Sequence, residues 1–160
     1  MKSGTTALTA HASMLDRLLD SAPDNLHDPR LLQHDLLDYR RAIARDLEAL
    51  LNTRKLAHEE LFSAYPEAQE SVLQFGLEDM SGLSLLNPAD QELIRTRLRQ
   101  TIERHEPRLS RIRVQIDIPD RQQKQVQFRV EGVLKIHPQR PQVSFDATLN
   151  LSSSTCRIMR

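Results

Sequence analysis

Glu103-Arg104-His105-Glu106-Pro107-Arg108-Leu109-Ser110-Arg111-Ile112-Arg113-Val114-Gln115-Ile116-Asp117-Ile118 is the stretch in which the chain changes its period. Just before it, Ile94, Leu98 and Ile102 recur at steps of four, which marks one apolar helix face. Within it, Ile112, Val114, Ile116 and Ile118 alternate with polar residues, as a half-buried strand requires. Pro107 stands at the switch, because proline disfavours the helical region for the residue before it. The helices lie upstream of this switch and the strands downstream.

Upstream, Asn87-Pro88-Ala89-Asp90 is a helix start, an Asx cap followed by proline at the first helical position. Asp28-Pro29 carries the same signal. From there Leu32, Leu36, Tyr39, Ile43, Leu47 and Leu50 predict one long amphipathic helix up to Leu51. Ser13 caps a shorter helix, Met14 to Asp20, which Pro23 stops. Asn52 to Leu86 is mixed and reads as a structured connector running over the surface.

Downstream, Pro119-Asp120 makes a turn. Val126, Phe128, Val130, Leu134 and Ile136 then share one face, with Gly132 read as a bulge. Val143 to Leu151 is the next alternating run. Helices and strands segregate along the chain, so the expected class is α+β: N-terminal and central helices packed on a three-stranded antiparallel C-terminal sheet. The expected organisation is one domain over 1–160, with 1–12 flexible and 152–160 a tail.

The chain has 160 residues, enough for one self-supporting core, and that core must be Leu, Ile and Val, because only 4% of residues are aromatic and none is Trp. No run approaches the ~20 apolar residues of a membrane helix, and the N-terminus lacks an apolar signal region. No membrane insertion is expected, and the chain reads as cytoplasmic. A single cysteine, Cys156, excludes an internal disulfide and any cysteine cluster for metal. The formal net charge of zero hides a split: residues 1–94 carry 16 acids and 8 bases, residues 95–160 carry 14 bases and 6 acids. The basic half does not read as a nucleic-acid surface, since only Phe128 and Phe145 are there to stack on bases.

Sites for chemistry are sparse. His34 and Asp38 stand at i, i+4, but two ligands do not make a metal site. There is no nucleophile signature and no glycine-rich phosphate loop, so no cofactor is expected. Cys156 lies beside Arg157, a neighbour that lowers a thiol pKa a little. Glu103 and Glu106 are the one carboxylate pair worth weighing for glycoside hydrolysis, which needs two carboxyls in different environments. Arg104, Arg108 and Arg111 hold both ionised, which is wrong for an acid catalyst, so no catalytic residue is assigned. Glu106-Pro107-Arg108 is the more distinctive feature: a carboxylate and a guanidinium flank a rigid residue and can each be aimed at a partner. The alternative is a helix stop with two solvated charges.

Four blocks then point one way. Ala42-Ile43-Ala44-Arg45-Asp46-Leu47-Glu48-Ala49-Leu50-Leu51-Asn52-Thr53-Arg54, Phe75-Gly76-Leu77-Glu78-Asp79, Glu106-Pro107-Arg108-Leu109 and Val143 to Leu149, in that order, resemble the TssE family. Leu15-Asp16-Arg17-Leu18 resembles that family's N-terminal segment. TssE proteins are baseplate subunits of type VI secretion systems, similar to the wedge protein of contractile phage tails and labelled lysozyme-like. The resemblance runs from about Met14 to Leu151, with two departures: Glu78 where proline is usual and His105 where an aromatic is usual.

The resemblance implies a structural baseplate component, not an enzyme, docked at the inner face of the cytoplasmic membrane. It implies a wedge with TssF and TssG, sheath proteins TssB and TssC assembling on the sheet of this chain, and TssK as a further neighbour. It implies assembly roles for Glu106, Pro107 and Arg108, and motif roles for Arg45, Asp46, Leu47, Asn52, Thr53 and Arg54. A generic interaction adaptor of the same fold is the alternative. As a surface pair, Glu106 and Arg108 are expected to matter for assembly and little for folding; the competing expectation is a pair buried inside the chain, where either substitution unfolds the domain.

Overall fold

A computed structural model describes residues 9–11, 13–19, 33–55, 59–117, 125–136 and 139–159. Elements follow in the order β1 (Thr9–His11), α1 (Met14–Leu18), β2 (Gln33–Asp35), α2 (Leu36–Asn52), α3 (Glu59–Ala64), α4 (Pro88–His105), β3 (Leu109–Asp117), β4 (Gln125–Leu134), β5 (Gln142–Asn150) and β6 (Thr155–Ile158). Two short 3-10 turns, Pro66–Glu70 and Val72–Gln74, lie between α3 and α4. The class is α+β.

Helix starts follow local chemistry. Ser13 and Asp16 form a reciprocal capping box on α1. Asn87 caps α4 with Pro88 in its first turn. The long helix α2 does not open at Asp28-Pro29, which lies outside the described residues. Asp35 caps it instead, accepting from the amide of Asp38 at 2.8 Å. The three residues before that helix are extended and pair antiparallel with β1, Thr9 opposite Asp35 and His11 opposite Gln33.

The sheet has four antiparallel strands in the order β3-β4-β5-β6, not three. The fourth, Thr155–Ile158, comes from the segment expected to be a tail and runs beside β5, with Cys156 opposite Leu149. Rows of apolar side chains cross the inner face, such as Val114, Val130 and Phe145, or Val126, Leu149 and Cys156. Gly132 is not itself a bulge: it sits in register with Val143. The irregularity lies opposite it in β3, between Ser110 and Arg113, where Arg111 takes a positive φ of 53°. A Cβ at Gly132 would meet Ser110 O, Leu109 and Ile112 at ordinary contact distances of 3.5–3.8 Å, so the bulge opposite it does not by itself require glycine.

The core lies between this face and the stripes of α2 and α4. Ile43, Leu47 and Leu51 meet Ile94, Leu98 and Ile102 in one cluster with the sheet residues. Each such side chain contributes roughly 1.5–3 kcal/mol by leaving water. Phe128 and Phe145 belong to this core, so neither is available to stack on a base. The connector does more than run over the surface: Phe62, Leu77, Met80 and Leu85 are buried. No helix is long and apolar enough, among the described residues, to cross a membrane.

Candidate functional site

Two of the motif blocks, far apart in sequence, meet at the junction of α4 and β3. Pro107 turns the chain, and Glu106 and Arg108 fold back on each other. Glu106 Oε1 accepts from the Arg108 backbone amide at 3.1 Å and from Nε at 2.7 Å, while Oε2 accepts from Nη2. The same Nη2 donates to Asp46 Oδ2 at 2.7 Å, across 62 residues of sequence. Asp46 Oδ1 receives Arg45 Nε at 2.9 Å and Nη2 at 2.7 Å. Arg45 Nη2 donates in turn to Asp16 Oδ1 at 2.7 Å. Asp16 Oδ2 closes the run by accepting the Ser13 hydroxyl at 2.6 Å. Tyr39 lies under the Arg108 guanidinium, 5.9 Å from ring centre to carbon.

Three carboxylates and two guanidiniums thus alternate along one lattice. Its ends are buried: the Glu106 and Asp16 side chains are each 3% exposed, while Asp46 at the middle and Arg45 beside it are 25% and 33% exposed. Burial pushes the Asp16 carboxyl up, but hydrogen bonds from Ser13 and Arg45 outweigh it and hold the acid below its ordinary range. Burial also works against the charge of Arg108, and Glu106 and Asp46 more than offset it, so its proton is held more tightly than usual. Of the two expectations for this pair, the buried one holds. Glu106 and Arg108 bond each other inside the chain, and Arg108 also bonds Asp46. A charge pair desolvated to this degree costs about 3–5 kcal/mol when one partner is removed.

Of the other motif residues, Leu47 follows Asp46 inside α2, and Asn52, Thr53 and Arg54 stand at its C-terminal end. Leu47 is core, 1% exposed. Asn52 Nδ2 donates to the Cys156 carbonyl at 2.9 Å, and its Oδ1 accepts the Cys156 amide at 2.8 Å. Thr53 caps the helix end through Ala49 O at 2.8 Å, and its carbonyl receives the Leu77 amide at 2.8 Å. That approach requires Gly76, with φ +116°: a Cβ there would stand 2.5 Å from the Thr53 carbonyl oxygen. Arg54 forms a parallel bridge with Leu77 and an exposed ion pair with Asp79 at 3.7 Å. The two departures from the resembled pattern also have partners. Glu78 takes Lys55 at 2.7 Å and Arg97 at 2.9 Å. His105 meets Phe75 edge-on, 5.3 Å between centroids, and its Nε2 bonds Gln74 O at 2.9 Å.

The remaining candidates do not gather into a reactive site. Glu103 is exposed while both oxygens of Glu106 are bonded to Arg108, so the two do not share a cleft as acid and nucleophile. Asp38 is paired with Arg41, and the side chain of His34 lies outside the described residues. Among the described residues no group of three or more His, Cys, Asp or Glu is placed to hold a metal. The Cys156 thiol is not activated by Arg157. Burial, with the Glu48 charge adding to it, pushes it up to about 12. Sequence reasoning named four lattice members but missed Asp16, whose signal is an acid fixed in a capping box among leucines.

A family model described as Baseplate wedge protein gp25 matches residues 37–139, a span that holds both convergence points except Asp16 and Cys156. No curated protein matches the chain. The chain belongs to the baseplate wedge family.

Proposed function

We propose that this baseplate wedge protein is a structural, non-catalytic subunit of a type VI secretion baseplate, of the TssE kind. Its work is to join TssF and TssG in the wedge and to offer a sheet edge on which the TssB/TssC sheath begins, with TssK as a neighbour. It acts in the cytoplasm against the inner face of the membrane and needs no cofactor. The observation that supports this reading is the lattice: the chain spends its most buried charges on fixing the Glu106-Pro107-Arg108 turn against Arg45 and Asp46, and no reactive group benefits. A rigid charged surface at a junction is what docking partners need, because charges already held in place lose little on binding. Glu106 and Arg108 then act in assembly by holding Arg45 and Asp46, the more exposed members, in one geometry.

Co-purification with TssF and TssG tests it, using the intact chain, Arg108→Lys and Glu106→Gln, with a thermal melt for each. Capture by the intact chain, and loss in the variants beyond their loss of folded protein, is the expected result. Absence of capture by the intact chain refutes the wedge reading. Loss only in proportion to unfolding refutes the assembly role of the motif.

A further inference from the structure

A groove of about 450 Å³ lies between the last turns of α4 and the connector, and none of the five lattice ions lines it. That volume falls within the range of small-ligand sites, roughly 300–1,000 Å³. Gln74 is its unusual member. The residue is 5% exposed, and its Oε1 is shut from solvent with no hydrogen-bond partner. Among the described residues it is the one buried side-chain polar atom left in that condition. A buried carboxamide without a bond weakens the fold that contains it, so its presence calls for a use.

Cations prevail around this amide. Arg104 lines the groove from α4 and is exposed, and Lys55 lines it from the facing segment. Lys55 is held by Glu78, a carboxylate that it shares with Arg97. His105 also lines the groove, with its Nε2 on the Gln74 carbonyl. Burial holds His105 below its ordinary pKa, and the Arg104 and Lys55 charges push the same way, against the pull of the Gln74 bond. Glu103 is the one acid among the described lining residues; it is exposed and is not among the charges that act on His105.

We propose that this groove binds the carboxyl-terminal end of a peptide chain, with Arg104 on the carboxylate and the Gln74 side chain on the adjoining peptide unit. The inference does not rest on the baseplate reading. Each part of the ligand answers one observation. The excess of positive charge selects an anion, and a guanidinium takes a carboxylate through two parallel bonds. A carboxamide both donates and accepts, and a half turn about its last side-chain bond exchanges the two atoms, so it can meet either polar group of a peptide unit. A bare anion would leave the Gln74 amide unmet, and an uncharged amide would leave Arg104 unused. Lys55 stays on Glu78 and contributes only its field.

The test uses the full chain with N-acetyl-alanyl-alanine as the free acid, the same dipeptide capped as its carboxyl-terminal amide, and inorganic phosphate. One free-acid molecule should bind per chain, with the millimolar affinity of so small a ligand, and shift the backbone amide resonances of Gln74, Gly76 and Thr101. Capping should weaken binding roughly tenfold, the worth of one hydrogen bond to a charged group. Arg104→Ala should bind both dipeptides alike, at the weaker level. Gln74→Met keeps the shape and removes the polar atoms, so it should melt a few degrees above the parent and bind the free acid roughly tenfold more weakly. Glu103→Gln, which removes the acid from the wall, should bind at least as tightly as the parent. Equal affinity for free and capped dipeptides, phosphate bound as tightly as the free acid, or a Gln74→Met melt no higher than the parent's overturns the proposal. No baseplate protein enters this test, so its failure leaves TssF/TssG capture to be judged by itself.

Discussion

Helix α2 is clamped at its middle and at its C-terminal end to segments far away in sequence, and the two clamps use opposite chemistry. Its middle, at Arg45 and Asp46, is held by ions, reaching Asp16 upstream and Arg108 downstream. Its C-terminal end, at Asn52 and Thr53, is held by neutral hydrogen bonds to the backbone of Cys156 and Leu77. The neutral clamp satisfies backbone groups that must find partners in any fold, so it is directed at stability. The ionic clamp gains little over a hydrophobic replacement and penalises every broken pair, so it fixes geometry more than it adds stability. That division matches the proposed work: a fixed charged junction on one flank, a backbone-anchored sheet on the other.

The ionic clamp should give the largest effect. Arg108→Ala strands the buried Glu106 carboxylate and should cost about 3–5 kcal/mol in denaturant titration. Adding Glu106→Leu to that variant should restore part of the loss. A cost below about 1 kcal/mol would place the lattice in effective contact with water and erase the contrast between clamps. Next comes Gly76→Ala on the neutral side, expected to cost roughly 3 kcal/mol. Both its positive φ and the backbone oxygen of Thr53 forbid a Cβ there. Asn52→Ala, which leaves the Cys156 amide and carbonyl without their partner, should cost roughly 2 kcal/mol.

Acid separates the clamps, because only the ionic one titrates. The folded-state pKa of Asp16 is depressed, so its contribution is present above the unfolded value near 3.9 and is lost as pH falls through the lower folded value. Stability measured below about pH 4 should therefore fall less steeply in Asp16→Asn than in the parent, while Asn52→Ala keeps the parent slope. The smallest effect belongs to a pair outside both clamps. Arg129 and Asp146 are about half exposed on the outer sheet face, and Arg129→Ala should leave the denaturant midpoint almost unchanged. A larger loss would mean that the exposed face carries energy assigned here to the clamps.

Periodicity made the core legible. Ile94, Leu98 and Ile102 announced the buried face of α4, and alternation announced β3, β4 and β5, because burial acts through local spacing. The fourth strand escaped because Cys156 and Ile158 supply only two inward positions, too few to distinguish a strand from a tail. The start of α2 was misread because Asp28-Pro29 is a stronger local signal than Asp35, whose cap is decided by pairing with β1. In α1 the pattern was inverted: leucine spacing suggests an apolar face turned inward, yet Asp16 is buried while Leu15 and Leu18 are 50% and 75% exposed. The motif residues were recognisable from the family resemblance. Their mutual pairing was not, since residues 16, 45, 46, 106 and 108 share no period, and only tertiary folding brings such charges together.

The hydrogen bonds that join Glu48 and Asn52 to the backbone of Ile158 and Cys156 have a consequence in time. Glu48 and Asn52 wait for partners 110 and 104 residues downstream, which makes this the most non-local closure along α2. At about 5–20 residues per second, a ribosome takes roughly 5–20 s to supply them. Through that interval a nascent chain that has already formed α2 lacks the strand that covers β5, and closing so long a loop slows the final step further. Synthesis thus carries the chain through a stage in which the outer edge of the sheet beside β5 is not yet covered, and Glu48 and Asn52 have no partners there.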